Sequence, residues 1–343
     1  MSGRALTLYY EEPPLPFKPA TRALFEFTSP TRFPLSLFDE ELAKHVKKCR
    51  DDVYARVSYP CLGLYRFLEP GSRENPVYTQ AIECIKQQPD TRRILDMGCG
   101  YAQDIRAWIQ DGVPSTSIVG ADLLLDFVED SFELFADEKG KDHMYGVKFE
   151  HCDIFDEDHV NKVKELSHGG QGFDVIYIGS FLHLFEWSEF ARESESIMRW
   201  KIQAADVQGR VFRAYTRADA QAQVARALSN LLSNAPGSLI FGRQSGMPPG
   251  QAGHYERHHR TGAMGGNSQA PWRHDPDSFI RLWQDEARGR QQLQGSGGWE
   301  VKPVLPNPAF NWAGFKDKDV QELSRKDLVQ AFGTGLEFQI IRK

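Results

Sequence analysis

The segment ILDMGCGYAQD, residues 94–104, sets an acid and two glycines at the end of an apolar run. A strand ending at Asp96 would feed a tight turn, and glycine is needed where the turn takes positive φ and a ligand must approach the backbone closely. Two registers compete for this turn. In the dinucleotide pattern GxGxxG the third glycine would fall on Gln103, so that pattern fails. The pattern DxGxGx(G/A) is met by Asp96, Gly98, Gly100 and Ala102, with alanine at the last position. That register is the one used for S-adenosylmethionine. Asp122 closes a second apolar run (SIVGAD), where a carboxylate can accept hydrogen bonds from both hydroxyls of a ribose. Leu123 follows it. Asp153 closes a third run (VKFEHCD), where it could accept from an adenine amino group while Ile154 packs on the ring; the rival role is a helix N-cap. Gln103 and Asp104 could meet the methionine end of the cofactor, although Asp104 is equally a first-turn acid favoured by the helix dipole.

The acceptor side is expected at the ends of the fourth and fifth runs, beside the cofactor. Ser180, His183 and Trp187 follow the fourth, and Arg243 and Gln244 follow the fifth. His183 could act as a general base for a hydroxyl or orient a carboxylate; otherwise it is a buried histidine satisfied by backbone. Arg243 could clamp a substrate carboxylate or pair with a local acid. Tyr59 and Tyr65 precede the domain and could wall the pocket, or could simply pack the N-terminal helices.

The elements that would position these residues alternate. Apolar runs at Arg93–Met97, Ser117–Ala121, Val147–Cys152, Phe173–Ile178 and Ser238–Gly242 are separated by helical patterns over 102–112, 124–138, 156–167 and about 187–232. This βαβα order predicts a parallel sheet with helices on both faces. A further helix over 276–288 and runs at Trp299–Val304 and Leu336–Ile341 would end the chain with a hairpin-like pair. The expected fold is α/β: a Rossmann-like sheet of seven strands, parallel except the last. Residues 1–90 form an arm and a helical cap, and 91–343 the cofactor-binding domain. Within the cap, 1–35 reads as an extended arm. Helices follow over 36–57, capped by Ser36, and over 75–89, with Pro76 in its first turn. Two segments are additions: a helical, arginine-rich insertion at about 190–225 between strands four and five, and a lid-like loop at about 245–272.

Composition narrows the function classes. The net charge of −6 offers no reason to expect nucleic acid, and the arginines at 192–226 alternate with acids. The 5 cysteines lack CxxC spacing, which argues against a zinc site and a disulfide framework. His254, His258, His259 and His274 are irregularly spaced with few acids nearby, so no metal is expected. The N-terminus has no apolar signal core and no run is long enough to span a bilayer, so a cytoplasmic location is expected.

Five blocks carry a more specific resemblance: YPCLGLYRFLEP (59–70), ILDMGCGYAQDIRAW (94–108), FDVIYIGSFLHLFEW (173–187), GSLIFGRQSG (237–246) and WRHDPDSFIRLWQDE (272–286). Together they resemble the fungal class I methyltransferases of meroterpenoid and polyketide clusters, of the austinol-pathway type. The resemblance implies an S-adenosylmethionine-dependent O-methyltransferase that releases S-adenosylhomocysteine and needs no metal. Its implied substrate is a small molecule, a carboxylate of a prenylated aromatic or terpenoid intermediate. A phenolic acceptor with His183 as base is the alternative, and a non-catalytic binding protein the third reading. The resemblance also implies a homodimer. Ala102 and the 190–225 insertion are where the chain departs from the family pattern.

Overall fold

The computed structural model describes residues 11–57, 60–137, 143–185, 220–247, 250, 252–254, 272–291, 299–304 and 334–342. The described residues up to Phe173 form one compact unit, and those from Asp174 onward another. The expected boundary near residue 90 therefore lies inside the first unit.

The first unit opens with helices. α1 (Pro19–Thr28) starts on proline, whose fixed φ and missing N–H suit a first helical turn. It corrects the expectation of an extended arm over 1–35. Leu24 and Phe25 bury one face of this ten-residue amphipathic stretch, which prolines flank in the sequence. α2 (Asp39–Tyr54) carries Asp39, Glu40 and Glu41 in its first turn, where the helix dipole favours acids. Its N-cap is Phe38, without a side-chain cap, so Ser36 does not have the expected role. Leu42, Val46, Cys49 and Val53 recur at helical spacing and face inward. α3 (Pro60–Gly63) is a single turn, and α4 (Tyr78–Gln87) begins two residues beyond Pro76 rather than around it.

β1 (Ile94–Met97), β2 (Ile118–Asp122) and β3 (Lys148–His151) pair in parallel, with Leu95 beside Val119 and Gly120 beside Phe149. All of β1 is buried, as a strand covered on both faces must be. α5 (Gln103–Gln110), α6 (Asp126–Phe135) and α7 (Glu157–Glu165) connect and follow them. Residues of α1 and α2 share one core with Tyr101, Phe127, Leu134 and Phe135, so the cap is an integral part of this unit.

The second unit holds β4 (Val175–Gly179), α8 (Ala220–Leu231) and β5 (Leu239–Gly246). β6 (Gly253–His254) and β7 (Trp272–Arg273) form a separate two-residue ladder, the described part of the expected lid. α9 (Pro276–Gln291), β8 (Trp299–Val304) and β9 (Thr334–Arg342) complete it. β4 and β5 are parallel, while β9 runs antiparallel to both β5 and β8. The seven long strands follow the order β3-β2-β1-β4-β5-β9-β8. This is the expected sheet of seven strands, antiparallel only at its last strand. β5 runs further than expected, so Arg243 and Gln244 lie within the strand, where β9 continues the ladder to Gly246. Of the expected insertion at about 190–225, only residues 220–225, the start of α8, lie among the described residues.

Candidate functional site

The turn after β1 has the backbone its sequence requires. Gly98 has φ 78° and Gly100 φ 51°, the left-handed region that costs glycine nothing. Ala102 also lies there, with φ 52° and ψ 33°, at the N-cap of α5. An alanine held in this region carries strain of about 1–3 kcal/mol, so its surroundings must over-determine it. They do so through Arg106, which is wholly buried. Its guanidinium donates to the carbonyls of Tyr101 (2.9 Å) and Ala102 (3.3 Å), to Ser131 Oγ (3.1 Å) and to the Asp137 carboxylate. It also lies 4.4 Å from the Phe135 ring centre. Tyr101 is stacked between Phe67 of the cap and Phe127 of α6, at 4.7 and 6.0 Å between ring centres. The loop is therefore clamped from the helical side. On its open side, a Cβ built on Gly100 would meet nothing within 4 Å.

Three acids converge on this loop. Asp122 Oδ2 accepts from the Gly100 N–H and Oδ1 from the Leu124 N–H, both at 2.9 Å. Each oxygen keeps a second lone pair for a ligand hydroxyl. Burial raises the Asp122 pKa above the usual carboxylate range, and these two N–H donors work against the rise. Asp96 is 3% exposed; burial pushes its pKa well up, and the charges of Asp104 and Asp122 add to the effect. Asp104 is also buried; its Oδ1 accepts from the Ser72 N–H at 2.7 Å, and its Oδ2 from Gln103 Nε2 at 3.2 Å. Asp104 thus joins α5 to the cap, in the first helical turn where the dipole favours it. Gln103 Oε1 is buried without a hydrogen-bond partner among the described residues. A buried acid whose pKa is raised by burial and by two neighbouring carboxylates, together with an orphaned acceptor, suits a cationic ligand with N–H donors. An α-ammonium beside a sulfonium has that character.

At the exit of β3, Asp153 Oδ1 accepts from the Phe155 N–H at 3.0 Å. The rival N-cap role belongs to Asp156, which accepts from the N–H groups of Asp158 and His159. Ile154 is 6% exposed, whereas Leu123, beside Asp122, is 40% exposed. Tyr65 is 2% exposed, with the Arg50 guanidinium 4.3 Å from its ring centre. It packs the cap core, one of the two readings the sequence left open. Tyr59 lies outside the described residues.

In the second unit, Ser180 follows β4 with φ 54° and its N–H donates to the Arg243 carbonyl at 2.7 Å. His183 lies in a 3₁₀ turn, Leu182–Leu184; its side chain is outside the described set, as is all of Trp187. Arg243 is level with Gly179 on one side and Glu337 on the other, so an acid stands directly across from it. Gln244 is 4% exposed, with its Oε1 unpartnered among the described residues. His274, set aside as a metal ligand, is wholly buried and hydrogen-bonded to Ser278 Oγ and Gln221 Oε1, both at 2.9 Å. Among the described residues no group of His, Cys, Asp and Glu is arranged to hold a metal ion, and no helix is long and apolar enough to cross a membrane. His258 and His259 lie outside them, and of His254 only the backbone is described.

The sequence does not reveal the roles of Arg106, Tyr101, Gln221 and His274. Nothing in local spacing marks the first three. The fourth precedes a legible signal, Asp275-Pro276-Asp277-Ser278, which is an N-cap with proline at the first helical position.

Residues 8–68 match the family described as the meroterpenoid methyltransferase N-terminal domain. The chain is similar in sequence to fungal proteins named as methyltransferases. It is 29% identical over 285 residues to an O-methyltransferase of Stereocaulon alpinum, covering 81% of this chain and 64% of that protein. It is 30% identical over 159 residues to the asnovolin E/chermesin D methyltransferase of Aspergillus novofumigatus, covering 46% of this chain and 53% of that protein. The matched region thus spans between about half and two thirds of these relatives. Among solved structures, the plantazolicin methyltransferase BamL aligns with a TM-score of 0.43 at 14% identity, over 88% of this chain and 98% of its own.

Proposed function

We propose that this chain is an S-adenosylmethionine-dependent O-methyltransferase of fungal secondary metabolism, acting on a carboxylate of a prenylated aromatic or terpenoid small molecule. The observation that carries the cofactor half is Asp122. It holds the glycine loop through Gly100 while keeping acceptor capacity on both oxygens. Asp96, Gln103 and Asp104 would face the amino-acid end of the cofactor, Asp122 and Leu123 the ribose, and Asp153 and Ile154 the adenine. When bound, the cofactor supplies an electrophilic methyl group on a sulfonium. The remaining task is to hold an acceptor oxygen in line with it, and orientation of that kind is worth orders of magnitude in rate. A carboxylate is ionised at neutral pH and needs no base. On the acceptor side Ser180, His183, Arg243 and Gln244 are the candidate contacts. The buried Gln244 Oε1, unpartnered among the described residues, would accept from a substrate hydroxyl. The acceptor class rests on relatives named as meroterpenoid and O-methyltransferases.

Incubation with methyl-labelled cofactor and a panel of farnesylated hydroxybenzoic acids tests this reading. The expected product releases its label on mild alkaline hydrolysis. Label that survives hydrolysis would move the acceptor to a hydroxyl. No calorimetric binding of S-adenosylhomocysteine would overturn the cofactor assignment itself.

A further inference from the structure

A buried polar chain in the second unit fastens the ends of two strands to one histidine. The Gln221 Nε2 donates to the Phe185 carbonyl at 2.8 Å, directly after the 3₁₀ turn that carries His183. Because that carbonyl can only accept, the amide orientation of Gln221 is fixed, and its Oε1 must accept from His274 Nε2–H. His274 Nδ1 is then the acceptor of the pair with Ser278 Oγ. The tautomer therefore follows from the network rather than from the ring alone. Gln221, His274 and Ser278 are all wholly buried.

The same histidine reaches the exit of β5 through its backbone: the Met247 N–H donates to the His274 carbonyl at 2.9 Å. One residue on, Asp275 caps α9 by accepting from the Ser278 N–H at 2.8 Å, and its other oxygen accepts from the Gly250 N–H at 2.7 Å. The exit of β4 and the exit of β5, which bear the candidate acceptor-side residues, are thus tied to a single point at the start of α9.

We propose that Gln221 and His274 are positioning residues, which act through main-chain hydrogen bonds to hold the β4 and β5 exits in the register that methyl transfer requires. The proposal rests on the methyltransferase reading above. A residue far from the reacting atoms can matter this way because a small displacement of an orienting group costs rate steeply. A buried network that loses one member also leaves the others unsatisfied.

The test uses the full chain with Gln221→Leu, His274→Leu and His274→Gln. The last places an amide N–H where Nε2–H stood and keeps the donation to Gln221. Hydrogen exchange at Leu184, Phe185 and Met247 should accelerate at least about tenfold in both leucine variants, since loss of a buried hydrogen bond and its partner's satisfaction is of that order. Turnover with a farnesylated hydroxybenzoic acid should fall about tenfold or more, with the affinity for S-adenosylhomocysteine changed less than about twofold. His274→Gln should recover most of the loss. Should the leucine variants fail to fold, Ser278→Ala as the perturbed protein and His274→Gln as the one that keeps the donation to Gln221 carry the same comparison at smaller amplitude. Unchanged exchange at these three amides would overturn the proposal, as would a parallel loss of cofactor affinity and turnover. If the unaltered protein transfers methyl to no acid or phenol, the methyltransferase reading fails, and the exchange data still decide whether the two exits are held by this network.

Discussion

Acidification provides a test of the buried His274 that depends on one group. Burial is the main cause that pushes its pKa down to about 3 from 6.5; Arg281 adds to the depression and Asp275 opposes it. Between those two values the unfolded chain holds a proton that the folded protein refuses, so stability must fall as pH drops below 6.5. Each unit is worth about 1.4 kcal/mol, so moving from about pH 7.5 to about pH 5 should remove about 2 kcal/mol through this residue alone. The figure barely depends on the folded value as long as that value stays below about 4. Other groups titrate too. His45 is depressed in the same sense by burial, and Asp96 and Asp122 are raised, so acid favours their folded forms. Burial works to raise the Asp275 pKa, but the Ser278 and Gly250 N–H donors bring it below the usual carboxylate range, so it stays ionised over this range. All of these are common to a His274→Gln variant, which lacks only the titrating ring. Urea unfolding of both proteins at the two pH values isolates the effect as a difference of differences. The gap in stability between them should narrow in acid by about 2 kcal/mol. A gap that stays constant within about 0.5 kcal/mol would refute the buried, neutral imidazole and the reasoning built on it.

Further outcomes follow from three residues of the loop and its clamp. Asp122→Asn removes a charged acceptor and should weaken S-adenosylhomocysteine binding about 10- to 100-fold by calorimetry, a hydrogen bond to a charged group being worth about 1.5–3 kcal/mol; an unchanged affinity would remove Asp122 from the ribose role. Ala102→Val forces a β-branched residue into φ 52° and should cost about 1–3 kcal/mol in urea unfolding. Ala102→Gly should be near neutral, because relief of about 1–2 kcal/mol of left-handed strain is set against a buried methyl group worth about 0.8 kcal/mol. Arg106→Met takes the guanidinium away from the buried Asp137 carboxylate and should destabilise by about 3–5 kcal/mol, whereas Arg106→Met with Asp137→Leu should recover most of it. A double variant no better than the single one would count against the pairing.

The local sequence determined the chain's alternation and its cofactor loop. Asp96, Gly98, Gly100 and Asp122 are legible because a strand-to-helix turn that admits a ligand has few solutions, and those solutions need particular residue types at fixed spacing. The β1–β5 runs were legible because fully buried parallel strands are short and apolar. Local spacing failed where irregular segments hid regular structure, as at α1, and at helix starts such as Ser36 and Pro76, where several residues could have served.

Only the tertiary structure decided what holds the loop and the strand exits. Arg106 looked like one charge on an amphipathic helix, yet α5 is buried on most of its faces and brings that charge to the carbonyls of Tyr101 and Ala102. Asp104 took a partner 32 residues away in the cap, and His274 one 53 residues away in α8. Such pairings form when helices already committed to burial bring polar groups together, and each buried donor must then find whichever acceptor the packing supplies. Periodicity records which face is buried. It carries no information about which distant polar group that face will meet.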